Sequence, residues 1–189
     1  MAAIKEHPNA GDKIENYALD PNHSSINFAI RHLVINQIRG RFNDFQGTLR
    51  LAENIEQSSV EFSGKTASVN TDNQMRDEHL RGENFFDADK YPEFSFRSAK
   101  VQQNGTGLII TGDFNLRSVT KEISFNFVLS EKVFDPLTKA ERIGIEADFP
   151  INRQDFGLTW NQVLESGGLA LANDVHITLS LEAVAEPDA

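Results

Sequence analysis

Apolar side chains recur at every second residue through most of this chain. A period of two is the spacing of a half-buried strand, whose side chains point to opposite faces in turn. In "SSINFAIRH", Ile26, Phe28 and Ile30 alternate with Asn27, Ala29 and Arg31. "RFNDFQGTLRL" offers Phe42, then Gly47, Leu49 and Leu51, and "SVEFSGKTASV" offers Val60, Phe62, Gly64 and Thr66. "PEFSFRS" sets Phe94 and Phe96 against Glu93 and Ser95, and "GLIITGDFNL" lines up Leu108, Ile110, Gly112, Phe114 and Leu116. "EISFNFVL" gives Ile123, Phe125, Phe127 and Leu129, and "RIGIEADFPI" gives Ile143, Ile145, Ala147, Phe149 and Ile151. "VHITLSLEA" closes the set with Val175, Ile177, Leu179, Leu181 and Ala183. These are eight strands, each apolar on one face, which argues for antiparallel pairing because parallel strands are usually apolar on both. Turn signals at Asn104-Gly105-Thr106-Gly107, at Arg117-Ser118-Val119-Thr120 and around Pro136 fit hairpin links. A closed barrel and a two-sheet sandwich both satisfy such a set. Gly64, Gly112 and Ala147 on the inward face either leave room for a ligand or mark bends, and the pattern leaves both open.

Two stretches break the alternation. Residues 72–83 are rich in helix formers and lack β-branched side chains, so a short helix is predicted there, with Thr71 or Asp72 as its cap. Residues 152–172 form a long connection that carries Trp160, the only tryptophan. Connections this long tend to be functional or to cross a barrel end. The helical stretch lies within "NTDNQMRDEHLRGENFFD", residues 70–87, where Arg76, Asp77, Glu78, His79 and Arg81 sit beside Phe85 and Phe86. One reading is the polar rim of an apolar pocket, with Asp77 and His79 orienting Arg76 and Arg81 and the two Phe closing the mouth. The other is a solvated helix with spaced ion pairs such as Asp77–Arg81.

Composition narrows the chemistry. The chain of 189 residues has no cysteine, which removes disulfides, thiolate metal sites and cysteine nucleophiles. A net charge of −10 repels phosphate backbones and anionic membrane surfaces, so nucleic acid is not an expected partner. No apolar run reaches the length of a membrane-spanning helix. "MAAIKEHPNAGDKIEN" lacks the apolar core of a signal peptide. Two readings stay open: a cytoplasmic protein, or a mature secreted domain without its leader. Residues 1–16 read as a flexible tail, 17–184 as the domain, and 185–189 as a second tail or linker stub.

Catalytic constellations are weak. Ser24 stands beside His23 with Asp20 nearby, but there is no G-x-S-x-G elbow, and strand neighbours face opposite ways. His7, His23, His32, His79 and His176 show no i, i+4 repeat and no H-E-x-x-H, and no phosphate-binding glycine loop is present.

The ordered motifs resemble a known family. Asp20-x-x-His23-Ser24-x-x-x-Phe28-x-x-x-His32 is followed by Gly40-x-Phe42 and Phe45-x-Gly47. Next come Asn70-Thr71-x-Asn73-x-x-Arg76-Asp77-x-His79-Leu80, Phe85-Phe86-Asp87 and Tyr91-Pro92. Val119-Thr120-Lys121 and Ile151-Asn152-Arg153-x-x-Phe156-Gly157 complete the series. Over about residues 17–184 the chain resembles the YceI-like family, also called polyisoprenoid-binding or lipocalin-like. It departs in "ITGDFNLRSVTK", where Asp113 and Asn115 replace apolar or small residues, and at Glu83-Asn84.

The resemblance implies an all-β, eight-stranded antiparallel lipocalin-like barrel with an apolar interior pocket and one short helix near residues 72–83. It implies non-catalytic binding, sequestration or transport of a long-chain polyisoprenoid lipid, either a prenyl quinone such as ubiquinone or a prenyl diphosphate of octaprenyl type, with no metal. The ligand-binding residues expected are Phe28, Phe42, Phe62, Phe94, Phe96, Ile110, Phe114, Phe125, Phe127 and Phe149 on the wall, and Arg76, His79, Phe85 and Trp160 at the mouth. Gly112→Leu or Ala147→Phe is expected to block that pocket. A periplasmic or secreted location, with a cytoplasmic one as the alternative, and a homodimer are further expectations. The alternative from another class is a lipid-processing or metal-assisted hydrolase using His79, Asp77 and His23.

Overall fold

The computed structural model describes residues 13–105, 107–165 and 167–187. Its elements in chain order are β1 (Ile14–Leu19), β2 (Ser25–His32), β3 (Asn36–Phe42), β4 (Phe45–Ala52), β5 (Ser59–Lys65), β6 (Val69–Asn70), α1 (Gln74–Arg81), β7 (Glu93–Asn104), β8 (Gly107–Leu116), β9 (Val119–Leu129), β10 (Val133–Asp135), β11 (Ala140–Asn152) and β12 (Leu171–Ala185).

Twelve segments make eight staves. β12 pairs β1 near its C-terminal end and β2 over the rest, so β1 and β2 share one edge and are joined by the short 3-10 turn Pro21–His23. β3 and β4 run back along β2 and β1 in the same way, and β6 and β5 then follow β3 and β4. β7, β8 and β9 continue as antiparallel neighbours to β11. β11 then pairs β12 from Arg142↔Val184 to Asn152↔Asp174, and the ring closes. The result is an eight-stranded antiparallel barrel closed by the β11–β12 pairing.

Four strand segments were not expected from the sequence, β1, β3 and the short β6 and β10. β1 begins at Ile14, inside the expected tail of residues 1–16, of which 1–12 lie outside the described residues. Its one deeply buried side chain is Tyr17, too little to read as alternation. β3 was hidden by its turn. Leu33 and Val34 link β2 to β3 with φ of 52° and 65°, a conformation that Gly or Asn usually takes, so the hairpin carries no turn signature. The 152–172 connection is partly ordered: Arg153–Phe156 form a 3-10 turn ending at Gly157 in the left-handed region, and Val163 bridges Leu169.

The inward glycines do not leave open space. Gly40 stands opposite Phe28, Gly47 opposite Phe62 and Gly64 opposite Phe94. A Cβ on Gly64 would lie 2.4 Å from the Phe94 ring, so the missing side chain lets that ring lie against the wall. A Cβ on Gly112 would meet the Arg97 carbonyl oxygen at 2.3 Å and Ser98 Cα at 2.7 Å. Gly112→Leu would therefore break the β7–β8 pairing and is not a clean block of the lumen.

Helix α1 differs from expectation in its cap. Asn73, not Thr71 or Asp72, accepts the Arg76 backbone N–H at 3.0 Å, and the Gly82 N–H closes the other end on Glu78 and His79. Eight residues make a marginal helix alone, so side chains must hold it. Asp77, buried, accepts from the Thr71 N–H at 2.8 Å and from its hydroxyl at 2.6 Å. Arg81 donates to the Ala67 and Val69 carbonyls rather than to Asp77. Asp77 and Arg81 thus clamp the helix to the chain just before it, and the expected Asp77–Arg81 ion pair is not formed.

Candidate functional site

The barrel encloses a cavity of about 360 Å³, within the usual range for small-ligand sites. All the expected wall residues border it: Phe28, Phe42, Phe62, Phe94, Phe96, Ile110, Phe114, Phe125, Phe127 and Phe149. So do Arg76, His79, Phe85 and Trp160. The alternation produces this directly, because every second residue of each stave faces the lumen. Phe125 and Phe149 stack face to face with ring centroids 3.9 Å apart. Ala147 also borders the cavity, between its cross-strand partners Phe127 and Leu179.

The two ends differ. At the floor, Tyr17 and Ala183 are fully buried and Ile143 nearly so, and together with Leu49 they close the lumen. Outside this plug, Arg142 pairs with Asp20 at 2.9 Å, with Asp135 at 3.0 Å and with Glu182. The His23 hydrogen bond, then Arg142, holds the Asp20 carboxyl down at about 2. Those same carboxylates raise the Arg142 guanidinium, Asp20 most of all. Asp20, His23 and Glu182 are the one group among the described residues close enough to share a cation, and Arg142 already bridges its two carboxylates.

At the opposite end α1 and the 153–165 segment lie over the opening. His79 meets Phe85 edge-on with centroids 5.0 Å apart and Trp160 with centroids 4.9 Å apart, while Phe86 packs edge-on against Phe42. These contacts latch the helix to the loop. Arg76 gives Nε to the Thr71 hydroxyl at 2.7 Å and Nη2 to the Thr71 carbonyl at 2.8 Å. It is positioned by Thr71, which Asp77 holds in turn, rather than by His79.

Arg153 was not among the expected site residues. It is 2 % exposed, borders the cavity, and donates to the carbonyls of Ala172, Leu158 and Trp160. Burial pushes its guanidinium down from the ordinary range. In the sequence it falls in what reads as a loop, and only its place in the Ile151-Asn152-Arg153 motif marked it. The lining aliphatics Ile26, Ile30 and Leu179 were legible, since they share the face of Phe28 and Ile177.

The hydrolase grouping does not assemble. His23 bonds Asp20 at the floor, Asp77 bonds Thr71 beneath the helix, and His79 sits between two aromatic rings. Among the described residues no hydrogen bond or ion pair joins the three.

Known proteins share this architecture. A UPF0312 protein of Staphylococcus aureus strain N315 is 30 % identical over 170 residues, covering 88 % of this chain and 96 % of that protein. The crystal structure of Burkholderia cenocepacia BcnA superposes with a TM-score of 0.76 at 17 % identity, over 87 % of this chain and 98 % of that one. A polyisoprenoid binding domain from Saccharophagus degradans superposes with a TM-score of 0.68 at 18 % identity, over 90 % of this chain and 98 % of that one. Residues 17–183 match the YceI-like domain. With the closed barrel, its capped lumen and this match together, the chain belongs to the YceI-like domain family.

Proposed function

We propose that this protein binds a long-chain polyisoprenoid lipid in the barrel lumen and carries or sequesters it without chemical change. The observation that carries the reading is the continuous apolar cavity, walled by Phe from every stave except β12, which supplies aliphatic side chains, and polar mainly at its α1 end. Removing even ten methylene-like carbons from water yields roughly 8 kcal/mol at about 0.8 each, enough for micromolar binding before ordering costs. The Saccharophagus degradans neighbour, named for polyisoprenoid binding, suggests the ligand class. Within that class a prenyl quinone or a prenyl diphosphate fits an apolar tail with a polar head at the mouth. No convergence of nucleophile, base and orienting group among the described residues favours a hydrolase.

The test is a substitution that fills the lumen. Ala147→Phe adds a ring between Phe127 and Leu179 at a strain cost of about 1–3 kcal/mol. The expected result is a folded barrel that no longer takes up a long-chain prenol which the parent protein binds. Ala147→Leu, a smaller intrusion, is expected to weaken binding in part. Unchanged uptake by the folded Ala147→Phe protein would overturn the reading.

A further inference from the structure

Arg153 carries an unfilled demand. Its Nε donates to the Ala172 carbonyl at 2.8 Å and its Nη1 to the Trp160 and Leu158 carbonyls, but the buried Nη2 has no partner among the described residues. All of those acceptors are neutral. Among the described residues no carboxylate pairs with Arg153, and the residue is 98 % buried at the cavity wall (2 % exposed). A buried cation without a counter-ion is costly, and a buried donor without an acceptor adds to that cost. The ionisable groups that border the cavity are Arg76, Arg153, His32, His79 and Glu61. Glu61 points outward to Arg97, leaving two guanidinium groups and, among the described residues, no free carboxylate facing the lumen. Among the described residues Arg76 likewise meets only the hydroxyl and carbonyl of Thr71.

We propose that Arg153 is the specificity-determining residue for the ligand's head group, and that its Nη2 takes an anionic oxygen of a carboxylate or phosphate on an amphiphile whose chain fills the lumen. This rests on the lipid-binding reading above and adds the sign of the head group to it. An anion entering the lumen loses its hydration, and a charge-assisted bond to a buried guanidinium offsets that loss where a neutral alcohol gains far less. The protein as a whole, at −10, repels anions, so a preference for them must arise locally.

Three probes of equal chain length separate the possibilities: hexadecanoate, hexadecyl phosphate and hexadecanol, each measured by displacement of a fluorescent fatty probe. The parent protein is expected to bind one or both anions at least about tenfold more tightly than the alcohol, or about 1.4 kcal/mol. The ranking of the two anions says whether the site suits carboxylate or phosphate. Arg153→Gln is expected to weaken the anions about tenfold, to the level of the alcohol, and to weaken the alcohol far less. Arg153→Lys is expected to retain part of the preference. A readout that needs no variant is the ¹³C titration of carboxyl-labelled hexadecanoate bound to the parent protein. Beside Arg153 its carboxyl pKa is expected below that of the free acid, and in a merely apolar pocket above it.

Equal affinity for all three probes, or a raised carboxyl pKa, would overturn the proposal and leave lipid binding standing. A parallel loss of anions and alcohol in Arg153→Gln would also overturn it, making Arg153 a brace for the loop. Its Nη2 would then be satisfied by water, as would the buried Asn173 Oδ1, which also lacks a partner among the described residues. Binding of none of the probes would overturn both the proposal and the lipid-binding reading.

Discussion

The floor and the mouth of this barrel use arginine in opposite ways. At the floor, Arg142 meets three carboxylates, and the core behind it is closed by Tyr17, Ile143 and Ala183. At the mouth, Arg76 and Arg153 meet only hydroxyl and carbonyl oxygens among the described residues, and the cavity begins behind them. Paired charge with a packed core serves the fold. Unpaired charge beside an apolar cavity serves no interaction within the fold that a neutral donor would not supply. The difference explains why the densest charge cluster of the sequence lies beside Phe85 and Phe86: its polar groups hold a lid, and its aromatic groups line what the lid covers.

The contrast can be broken at the floor first. Tyr17→Ala empties a fully buried aromatic site and is expected to cost about 3–5 kcal/mol in urea unfolding, the usual range for aromatic truncation in a core. A loss under about 1 kcal/mol would show that the floor is not the packed end. The mouth is expected to respond less. Trp160→Ala removes edge contacts to His79 and a contact to Phe85, and is expected to cost about 1–2 kcal/mol while speeding ligand release in stopped-flow displacement. Unchanged release would mean that Trp160 is no part of a lid.

Acid sharpens the same comparison. Asp20 is held at about 2 by His23 and Arg142, and Asp135 at about 2 by Thr138 and the Leu137 backbone. Glu15, near the same end, is held at about 2 by Lys132 and Lys13. Each is lowered relative to an ordinary carboxyl near 4, so its stabilisation is complete above about pH 4 and is lost as pH falls towards 2. Thermal melting is expected to be steady on this account from neutral pH to about 5 and to drop between pH 4 and 2. Arg142→Met is expected to lower stability at neutral pH and to flatten that drop. An acid response identical in the parent and in Arg142→Met would remove Arg142 from the account. The smallest expected effect is His79→Ala. It loses two edge contacts on an exposed helix face, under about 1 kcal/mol, and weakens ligand retention at most modestly. Complete loss of a measurable lipid-converting activity in that variant would support the enzyme reading instead.

Much of this was legible in the sequence. The lumen could be read because alternation assigns each side chain a face, and Phe28, Phe62, Phe94 and Phe149 fell on the same one. The helix could be read from composition, yet its cap could not, since Thr71, Asp72 and Asn73 are all capping residues and only geometry separates them. β3 escaped because Leu33 and Val34 make a turn that their residue types disfavour. The role of the glycines escaped because a missing side chain looks the same whether a ligand or the opposite Phe ring fills its place. Arg153 escaped because its burial depends on segments far apart in sequence, Leu158 to Trp160 and Ala172, folding around one guanidinium.

The central claim is that the lumen holds a lipid. Native mass spectrometry of the purified protein, followed by organic extraction and identification of what is released, tests it most directly. The account predicts an adduct near one lipid per chain, with a prenyl lipid recovered in the extract and both absent from Ala147→Phe. A parent protein that carries no lipid, and takes up none when mixed with long-chain prenyl lipids, would contradict it.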